Sequence, residues 1–523
     1  MSRRERRQED KNMMNRRSFF IGTGAVAGSL LPVHGRSADA PAPAALEQLE
    51  AQAKRALRLS AHTPDWVRPR PDADHNVVVV GAGHSGLGIA HGLRRKGISR
   101  VTLIDGAEPG GAGIWRNIAR MHQLRSPKML PGPDLGNPGV GFRAWFETLH
   151  GPEAFDALDR IPRLAWADYL SWYERVTEAQ VRYRTRLVEI EPAGDLLRLH
   201  LQVDGTPRTE TTRKLVLASG FAGAGGVHVP DILDGIPAGL WSHTHTSRDY
   251  RPFAGKSIAV IGAGASAFDA AATALEQGAR DVHLYSRRAF IDYPVPGAVP
   301  PIGPPAPPGV RGHGNLVELA YELPEEVRWR DHRSRQNRAA SVPMDSLHRA
   351  LAFENFHLHL ASPWTRAVPG AGGVVAYVKN RKQRFDHVIA GSGYDVDLAT
   401  QPELAPFHAR IAQWGDRYRP PAGEEDTALA RHPYLGSRFE FQPRDGADAA
   451  FLRNIHCFNL AAGLSYGTLV GDLWSVAHQP RLVCGIARDL FLADLDVAQN
   501  QRFNSLPDAP PDAAPYRRAV AAS

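Results

Sequence analysis

Two glycine-rich turns are the features of this chain of 523 residues whose types and spacing most directly indicate chemistry. The first turn follows the apolar run His75–Val80 and has the spacing GxGxxG, with Gly81, Gly83, Ser85 and Gly86 as its key residues. Glycines at these positions allow a tight turn, a close approach of the backbone to a pyrophosphate, and close packing of the following helix. Asp105 ends the next apolar run, 19 residues after Gly86, where a carboxylate accepts hydrogen bonds from ribose hydroxyls. We expect this turn to bind FAD.

The second turn repeats the design after the apolar run Ser257–Ile261, with Gly262, Gly264, Ser266 and Ala267 as its key residues. Ala267 stands where the first turn has its third glycine. The next predicted strand, Asp281–Tyr285, is followed by Arg287 and Arg288 instead of a carboxylate. Arginine forms charge-assisted, often bidentate bonds with phosphate. The pair therefore indicates the 2′-phosphate of NADPH, and the alternative is a solvated charge pair.

The elements that must position these turns predict an α/β chain with two Rossmann-like dinucleotide-binding domains. Further strand-like runs occur between and around the motifs, at 101–104, 181–191, 196–203 and 214–218. Aromatic residues recur at helical spacing between 142 and 180, and we interpret them as packing residues of helices rather than a cofactor cage.

Several short segments carry a resemblance to the class B flavoprotein monooxygenases, which include flavin-containing monooxygenases, Baeyer–Villiger monooxygenases and amine N-hydroxylases. They are residues 113–116 (GIWR, with Trp115), 124–128 (LRSPK), 166–170 (WADYL), 217–221 (LASGF) and 390–394 (AGSGY). The last two are similar to the hinges by which such chains leave and re-enter the FAD domain. The Baeyer–Villiger fingerprint FxGxxxHxxxW is only partly met, by Gly239 and His243 with Ser247 in the aromatic position. That departure disfavours ketone oxygenation in particular.

The resemblance implies an NADPH domain inserted in a discontinuous FAD domain. The expected divisions are a linker at 41–74, the FAD domain at 75–250 and 384–500, the NADPH domain at 251–383, and a disordered tail at 501–523. A run with eight prolines between 293 and 310 predicts an irregular loop.

The resemblance also implies which residues lie near the flavin. Gln123 and Arg125 belong to the segment that faces the reactive ring edge in the relatives, and we predict catalytic roles for them. His243 and His245 are further candidates, with ordinary loop histidines as the alternative. Asp472 follows the segment 463–471 and is expected either to hold the ribityl chain or to cap a helix.

Composition excludes other classes of function. The formal charge of +7 is concentrated in residues 1–40, which carry +4 and leave +3 for the rest, so a nucleic-acid partner is not expected. Cys457 and Cys484 lie 27 positions apart and form no CxxC pair, which disfavours a flavin–disulfide reductase. No Cys or His spacing indicates a metal site.

The N-terminus predicts a twin-arginine signal peptide at 1–40. Arg16 and Arg17 precede a short apolar stretch and an Ala-x-Ala site before Pro41. The stretch is too short to span a bilayer, so we expect export to the periplasm without membrane insertion. A disordered basic leader is the alternative.

The predicted function is an FAD- and NADPH-dependent monooxygenase that passes one oxygen atom of O2 to a small amine, sulfide or ketone through a C4a-peroxyflavin. Two alternatives stay open at this point: an NADPH oxidase or dehydrogenase without oxygen insertion, and a dinucleotide-binding redox sensor. The motifs indicate neither the substrate nor the oligomeric state.

Overall fold

A computed structural model describes residues 43–60, 63–130, 132–246, 249–293, 317–337, 341–496, 500 and 512–521. The predicted leader, Ser247, most of the proline-rich run and part of the predicted tail lie outside these residues. The described residues from 48 onward form one compact body, and residues 43–47, at the start of the first helix, belong to another.

The strands are β1 (His75–Val80), β2 (Val101–Ile104), β3 (Val181–Arg182), β4 (Thr185–Ala193), β5 (Leu196–Val203), β6 (Thr206–Leu217), β7 (Trp241–His243), β8 (Ser257–Ile261), β9 (Asp281–Tyr285), β10 (Phe356–His359), β11 (Arg366–Gly370), β12 (Gly373–Val378), β13 (Arg381–Phe385), β14 (His387–Ala390) and β15 (Ile455–Cys457). The α-helices are α1 (Pro43–Leu59), α2 (His84–Arg95), α3 (Phe142–His150), α4 (Pro152–Ala157), α5 (Arg163–Val176), α6 (Ala265–Glu276), α7 (Glu325–Asn337), α8 (Met344–Leu351), α9 (Trp414–Arg417), α10 (Thr427–Ala430) and α11 (Gln479–Asp494).

The first sheet has the order β3-β2-β1-β6-β5-β4, and β15 also pairs with β6. Strands β3, β2, β1, β6 and β15 are parallel, whereas β4, β5 and the first half of β6 form an antiparallel meander. The centre of β1 is fully buried, as expected for a strand that is covered on both faces. Its C-terminal end carries the first glycine turn.

The second sheet is parallel throughout and has the order β10-β9-β8-β14-β7. Alternate residues of β8 face opposite layers because side chains alternate along a strand: Ile258 and Val260 pack with the alanine-rich helix α6, and Ala259 packs with the antiparallel sheet β11-β12-β13. In chain order, β15 of the first sheet comes after every strand of the second sheet. The domain built on the second sheet (the second unit, 241–390) is thus inserted in the domain built on the first sheet (the first unit), and the predicted fold is confirmed.

The second sheet extends beyond the range 251–383 that the sequence predicts for the NADPH domain. Strand β7 precedes that range, and β14 follows it. The difference has a simple cause. Strand β14 leads into the second hinge at Ala390 and pairs with β8, so it belongs to the second sheet and not to the second part of the FAD domain. Strand β7 has only three residues and gives little sequence signal.

Candidate functional site

The first glycine turn joins β1 to α2 through backbone packing. Gly81 has φ of +101°, and its N–H donates to the Ile104 carbonyl at 2.8 Å. A Cβ at Gly81 would lie 2.5 Å from the Ala218 carbonyl oxygen, and one at Gly86 would overlap the carbonyl oxygen of Gly81. Residues without side chains are therefore required at both positions, as the sequence predicts for Gly86 packing on the strand.

The N-terminus of α2 fits a pyrophosphate. Gly83 is the residue before the helix and provides no side-chain cap; a Cβ there would meet only the Cα of Gly113, at 3.6 Å. The Ser85 hydroxyl is buried and has no hydrogen-bond partner among the described residues. Open N–H groups, the positive helix end and an unsatisfied hydroxyl together form a cradle for phosphate oxygens. These residues fit the phosphates of FAD.

Asp105 braces this cradle at the end of β2. Its two carboxylate oxygens accept hydrogen bonds from the N–H groups of Ala82 and Ala107, each at 2.8 Å. The carboxylate therefore fixes the glycine turn from the neighbouring strand. Binding of ribose hydroxyls by Asp105 stays a prediction.

Trp115 closes one side of the same region. Its indole is buried, with its ring centre 6.1 Å from that of His84. An open cleft beside the turn is lined by Trp115, Glu174 and Tyr183, among others. The Tyr183 hydroxyl donates to Glu174 at 2.6 Å, and burial is the first reason that the pKa of Tyr183 rises above its ordinary range.

Asp472 connects the C-terminal part of the chain to the first cradle. Its carbonyl oxygen lies 3.1 Å from Nε2 of His84, and its carboxylate accepts the N–H of Ser475 at 3.1 Å. The predicted helix-capping role is thus observed, on the short helix Leu473–His478. Burial raises the pKa of Asp472 to about 7. Contact of this carboxyl with a ribityl chain stays a prediction.

The second glycine turn repeats the first with one exchange. Gly262 has φ of +113°, and its N–H donates to the Tyr285 carbonyl at 3.0 Å. Ala267 occupies the position of the third glycine, and the hinge residue opposite it is Gly391. A Cβ on Gly391 would lie 2.6 Å from the Cβ of Ala267. Gly391, directly after β14, therefore leaves the space that the side chain of Ala267 occupies.

The first turn of α6 and the basic pair lie at the same edge of the second sheet. Gly264 precedes α6 without a side-chain cap, and Ser266 is exposed in its first turn. Arg287 is exposed, and Arg288 is half-buried with its N–H on the buried hydroxyl of Ser286 at 3.0 Å. These residues fit a phosphorylated dinucleotide. The selection of NADPH by the two arginines stays a prediction.

Two residues beside the basic pair were not anticipated from sequence. The rings of Tyr285 and His359 stack with centres 4.4 Å apart, and His359 Nε2 lies 2.9 Å from Nδ1 of His283. Burial lowers the pKa of His283 to about 4, which keeps it neutral at pH 7. His359 ends β10, far from the glycine motif along the chain, so motif spacing contained no signal for it.

Arg125 reaches across to the second unit, and Gln123 does not. The Arg125 guanidinium is 3.3 Å from the carboxylate of Asp269, which is 2% exposed on α6. Arg349 also contacts Asp269 at 3.3 Å. Burial raises the pKa of Asp269, and the two arginines oppose that shift. Gln123 is exposed and forms a backbone bridge with Pro162; the catalytic roles of Gln123 and Arg125 stay predictions.

His243 and His245 meet the second hinge. The Tyr394 hydroxyl lies 3.2 Å from Nδ1 of His245, and the N–H of His245 donates to Nδ1 of His243 at 3.0 Å. Tyr394 also packs edge-on against Phe221 of the first hinge. Burial lowers the pKa of His243 to about 4. The structure thus gathers both candidate histidines and both hinges at one junction.

The two cysteines differ in exposure: Cys457 is buried and Cys484 is exposed. Cys457 and Cys484 are both free; burial raises the pKa of Cys457 to about 12, which suppresses the reactive thiolate. The described residues contain no group of three or more His, Cys, Asp or Glu side chains that could hold a metal ion. Among the described helices, none has the length and apolar character needed to cross a membrane.

Comparison with known proteins agrees with this geometry. A model described as pyridine nucleotide-disulphide oxidoreductase matches residues 78–296. The chain is 39% identical over 459 residues to an FAD-dependent urate hydroxylase of Xanthomonas campestris, covering 86% of this chain and 94% of the relative. It is 27% identical over 241 residues to the flavin-containing monooxygenase FMO GS-OX2 of Arabidopsis thaliana, covering 42% of this chain and 51% of that protein.

A solved structure shares the fold at low identity. The ornithine hydroxylase of Pseudomonas aeruginosa aligns with a TM-score of 0.61 and 18% identity, covering 80% of this chain and 99% of that one. The predictions of an enzyme, of a flavin monooxygenase and of FAD as its cofactor are confirmed, whereas NADPH as the second cofactor stays a prediction. The chain belongs to the class B flavoprotein monooxygenases.

Proposed function

We propose that this monooxygenase uses NADPH and O2 to hydroxylate urate or a closely related purine-like heterocycle. The observation that carries the proposal is the identity of 39% with an FAD-dependent urate hydroxylase, extending over 94% of that relative. Coverage of nearly the whole relative includes both cradles and the segments between them. A small-molecule substrate and O2 are accordingly the expected partners, with no role for nucleic acid.

The residues of this chain have separate tasks in that reaction. FAD, when bound, supplies the electron transfer from NADPH to oxygen and the activation of oxygen. The cradle of Gly81, Gly83 and Ser85 binds its pyrophosphate, and the second cradle orients the nicotinamide cofactor. Arg287 and Arg288 select the phosphorylated form.

The junction of the two hinges handles a proton. Because Nδ1 of His243 accepts the N–H of His245, the neutral imidazole of His243 carries its proton on Nε2. The Tyr394 hydroxyl and Nδ1 of His245 share a hydrogen bond of 3.2 Å. The pair of Tyr394 and His245 can hold or accept the proton that an acidic heterocycle loses when it becomes a better nucleophile. Phe221 packs edge-on against the Tyr394 ring and helps to exclude water from its side of the pair.

Two measurements on the purified, FAD-loaded protein test the proposal. Anaerobic mixing with NADPH should bleach the flavin, and aerobic NADPH consumption should rise when urate is added. Absence of flavin reduction would favour the redox-sensor alternative. Consumption of NADPH that urate leaves unchanged would favour an oxidase.

Export by the twin-arginine route is a second proposal, which rests on Arg16, Arg17 and the Ala-x-Ala site in residues outside the described part of the chain. This route transports folded proteins, which suits a protein that binds its cofactor before crossing the membrane. Because NADPH is a cytoplasmic reductant, either the leader is inefficiently used, or the protein works before or without export, or the exported protein keeps its nicotinamide as a fixed ligand. Fractionation of a tagged protein and its Arg16→Lys/Arg17→Lys variant decides the question. Cytoplasmic location of both would contradict export.

A further inference from the structure

An insertion between β9 and β10 reaches the side of the molecule where the first unit returns to its cofactor. Its described residues, 317–337, belong to the second unit in the chain, but its short helix Val317–Glu322 lies against the short helix Leu473–His478. Arg481 pairs with Glu322 of the insertion at 2.8 Å. Asp472, at the first cradle, caps that same helix 473–478. The insertion therefore borders the expected flavin region.

Arg328 in helix α7 is the unusual residue of this insertion. Its side chain is buried, with 7% of the residue exposed, and its Nη1 donates to the Ser465 carbonyl at 2.6 Å. Its guanidinium carbon lies 5.3 Å from the ring centre of Tyr321 and 5.1 Å from that of Trp414. Within the described part of the chain, Nε is buried without a hydrogen-bond partner, and no carboxylate forms an ion pair with Arg328.

The carboxylates near Arg328 are engaged elsewhere. Glu322 pairs with Arg481 at 2.8 Å, and Glu440 pairs with Arg438 at 3.1 Å. Glu325 accepts the hydroxyl of Tyr434. A buried cation without an acidic partner is costly, and an anion that binds beside it would relieve that cost.

The free edge of the guanidinium defines the chemistry of the missing partner. With Nη1 committed to Ser465, the Nε–H and Nη2–H donors remain as a planar fork that suits two adjacent acceptor atoms. The rings of Tyr321 and Trp414 flank the guanidinium and hold its plane in place. His332, one turn along α7, adds no competing positive charge, because burial holds its pKa well below the ordinary value.

We propose that Arg328 binds the substrate, through a bidentate contact from Nε–H and Nη2–H to a flat, anionic nitrogen heterocycle. Urate is such an anion at neutral pH, and its ring nitrogens and carbonyl oxygens supply adjacent acceptors. This inference rests on the proposed function, because it assigns the substrate site of the same reaction. It places recognition on an insertion of the second unit instead of on either glycine cradle.

Urate titration of the oxidised, FAD-loaded protein tests the assignment, with the perturbation of the flavin absorbance as the signal. Arg328→Gln should raise the Kd for urate about 10- to 100-fold, as expected for loss of hydrogen bonds to a charged group. Arg328→Lys should restore only part of the affinity, since an ammonium lacks the fork. The matched control is Arg330→Gln, because Arg330 lies on the same helix and pairs with Glu326 and Glu424 at the surface.

Guanidinium chloride at millimolar concentration should restore urate binding to an Arg328→Ala variant but not affect the wild type, which keeps the test valid if the Gln variant folds poorly. A wild-type Kd in Arg328→Gln with normal FAD content would overturn the inference and leave the proposed function standing. Failure of urate to bind the wild type, or to stimulate its NADPH consumption, would overturn both.

Discussion

The two glycine turns of this molecule have the same backbone and differ at two positions. The first has Gly86 against the turn and Asp105 after the next strand, whose carboxylate accepts the N–H of Ala82 in the turn. The second has Ala267, made possible by Gly391, and ends its next strand with Arg287 and Arg288. The shared geometry predicts that both turns bind a pyrophosphate, and the differences predict that they select different cofactors.

The largest expected effect is in the first turn. Gly86→Ala would place a Cβ on the carbonyl oxygen of Gly81, where only the backbone could move. We expect FAD to be lost, with destabilisation of about 3 kcal/mol or more. Flavin absorbance after gel filtration, together with urea unfolding, measures both effects. Retention of a full complement of FAD would show that the turn tolerates a side chain and that the two cradles differ less than described.

A carboxylate lies near each glycine turn, and the two carboxylates contact different parts of the molecule. Asp105 closes its own turn, whereas Asp269 on α6 links the second unit to Arg125 of the first. Asp269→Asn should destabilise the protein by about 3–5 kcal/mol, because it leaves two arginines without their buried partner. Glu276→Gln is the control: it removes another partner of Arg349 on the same helix and should cost about 1 kcal/mol or less. Equal losses in urea unfolding would contradict a special role of the crossing contact.

The basic pair should separate the two nicotinamide cofactors. Changing Arg287 and Arg288 to Ala should raise the KM for NADPH about 10- to 100-fold, because charge-assisted bonds to the 2′-phosphate are lost. The KM for NADH should stay nearly constant. Steady-state kinetics with both cofactors gives the answer, and an equal rise for both would rule out selection by these arginines.

The smallest expected effects concern the contact between Ala267 in the second turn and Gly391 in the second hinge. Gly391→Ala should cost about 1–3 kcal/mol through its contact with Ala267, and Ala267→Gly alone about 1 kcal/mol, since glycine is a poor helix residue. The double variant should be more stable than the sum of the two losses predicts. A double-mutant cycle by urea unfolding measures this coupling, and strict additivity would show that the two positions are independent.

Local patterns predict the cradles well because each depends on contiguous residues. Strands β1, β2, β5, β8 and β9 occupy the stretches that the apolar runs indicate, and both turns follow them directly. Gly391 shows where such reasoning stops: its role depends on Ala267, which lies far from it in the chain and meets it only in the folded sheet.

The insertion shows the same limit more strongly. Helix α7 reads EEVRWRDHRSRQN, a strongly polar sequence that predicts an exposed surface helix. In the structure, Trp329 and Arg328 of this helix are both buried. Their partners Trp414 and Ser465 come from a part of the chain more than 80 residues away, so no spacing rule connects them. Likewise, the contact of Arg125 with Asp269 joins residues 144 positions apart.

The most direct test of the proposed reaction is its stoichiometry under labelled oxygen. The purified protein, with FAD and a limiting amount of NADPH, is incubated with urate under ¹⁸O2, and NADPH, urate, hydrogen peroxide and the label in the product are measured. The proposal predicts equal consumption of NADPH and urate, one labelled oxygen atom in the product and little peroxide. Consumption of NADPH with matching peroxide and unchanged urate would contradict it.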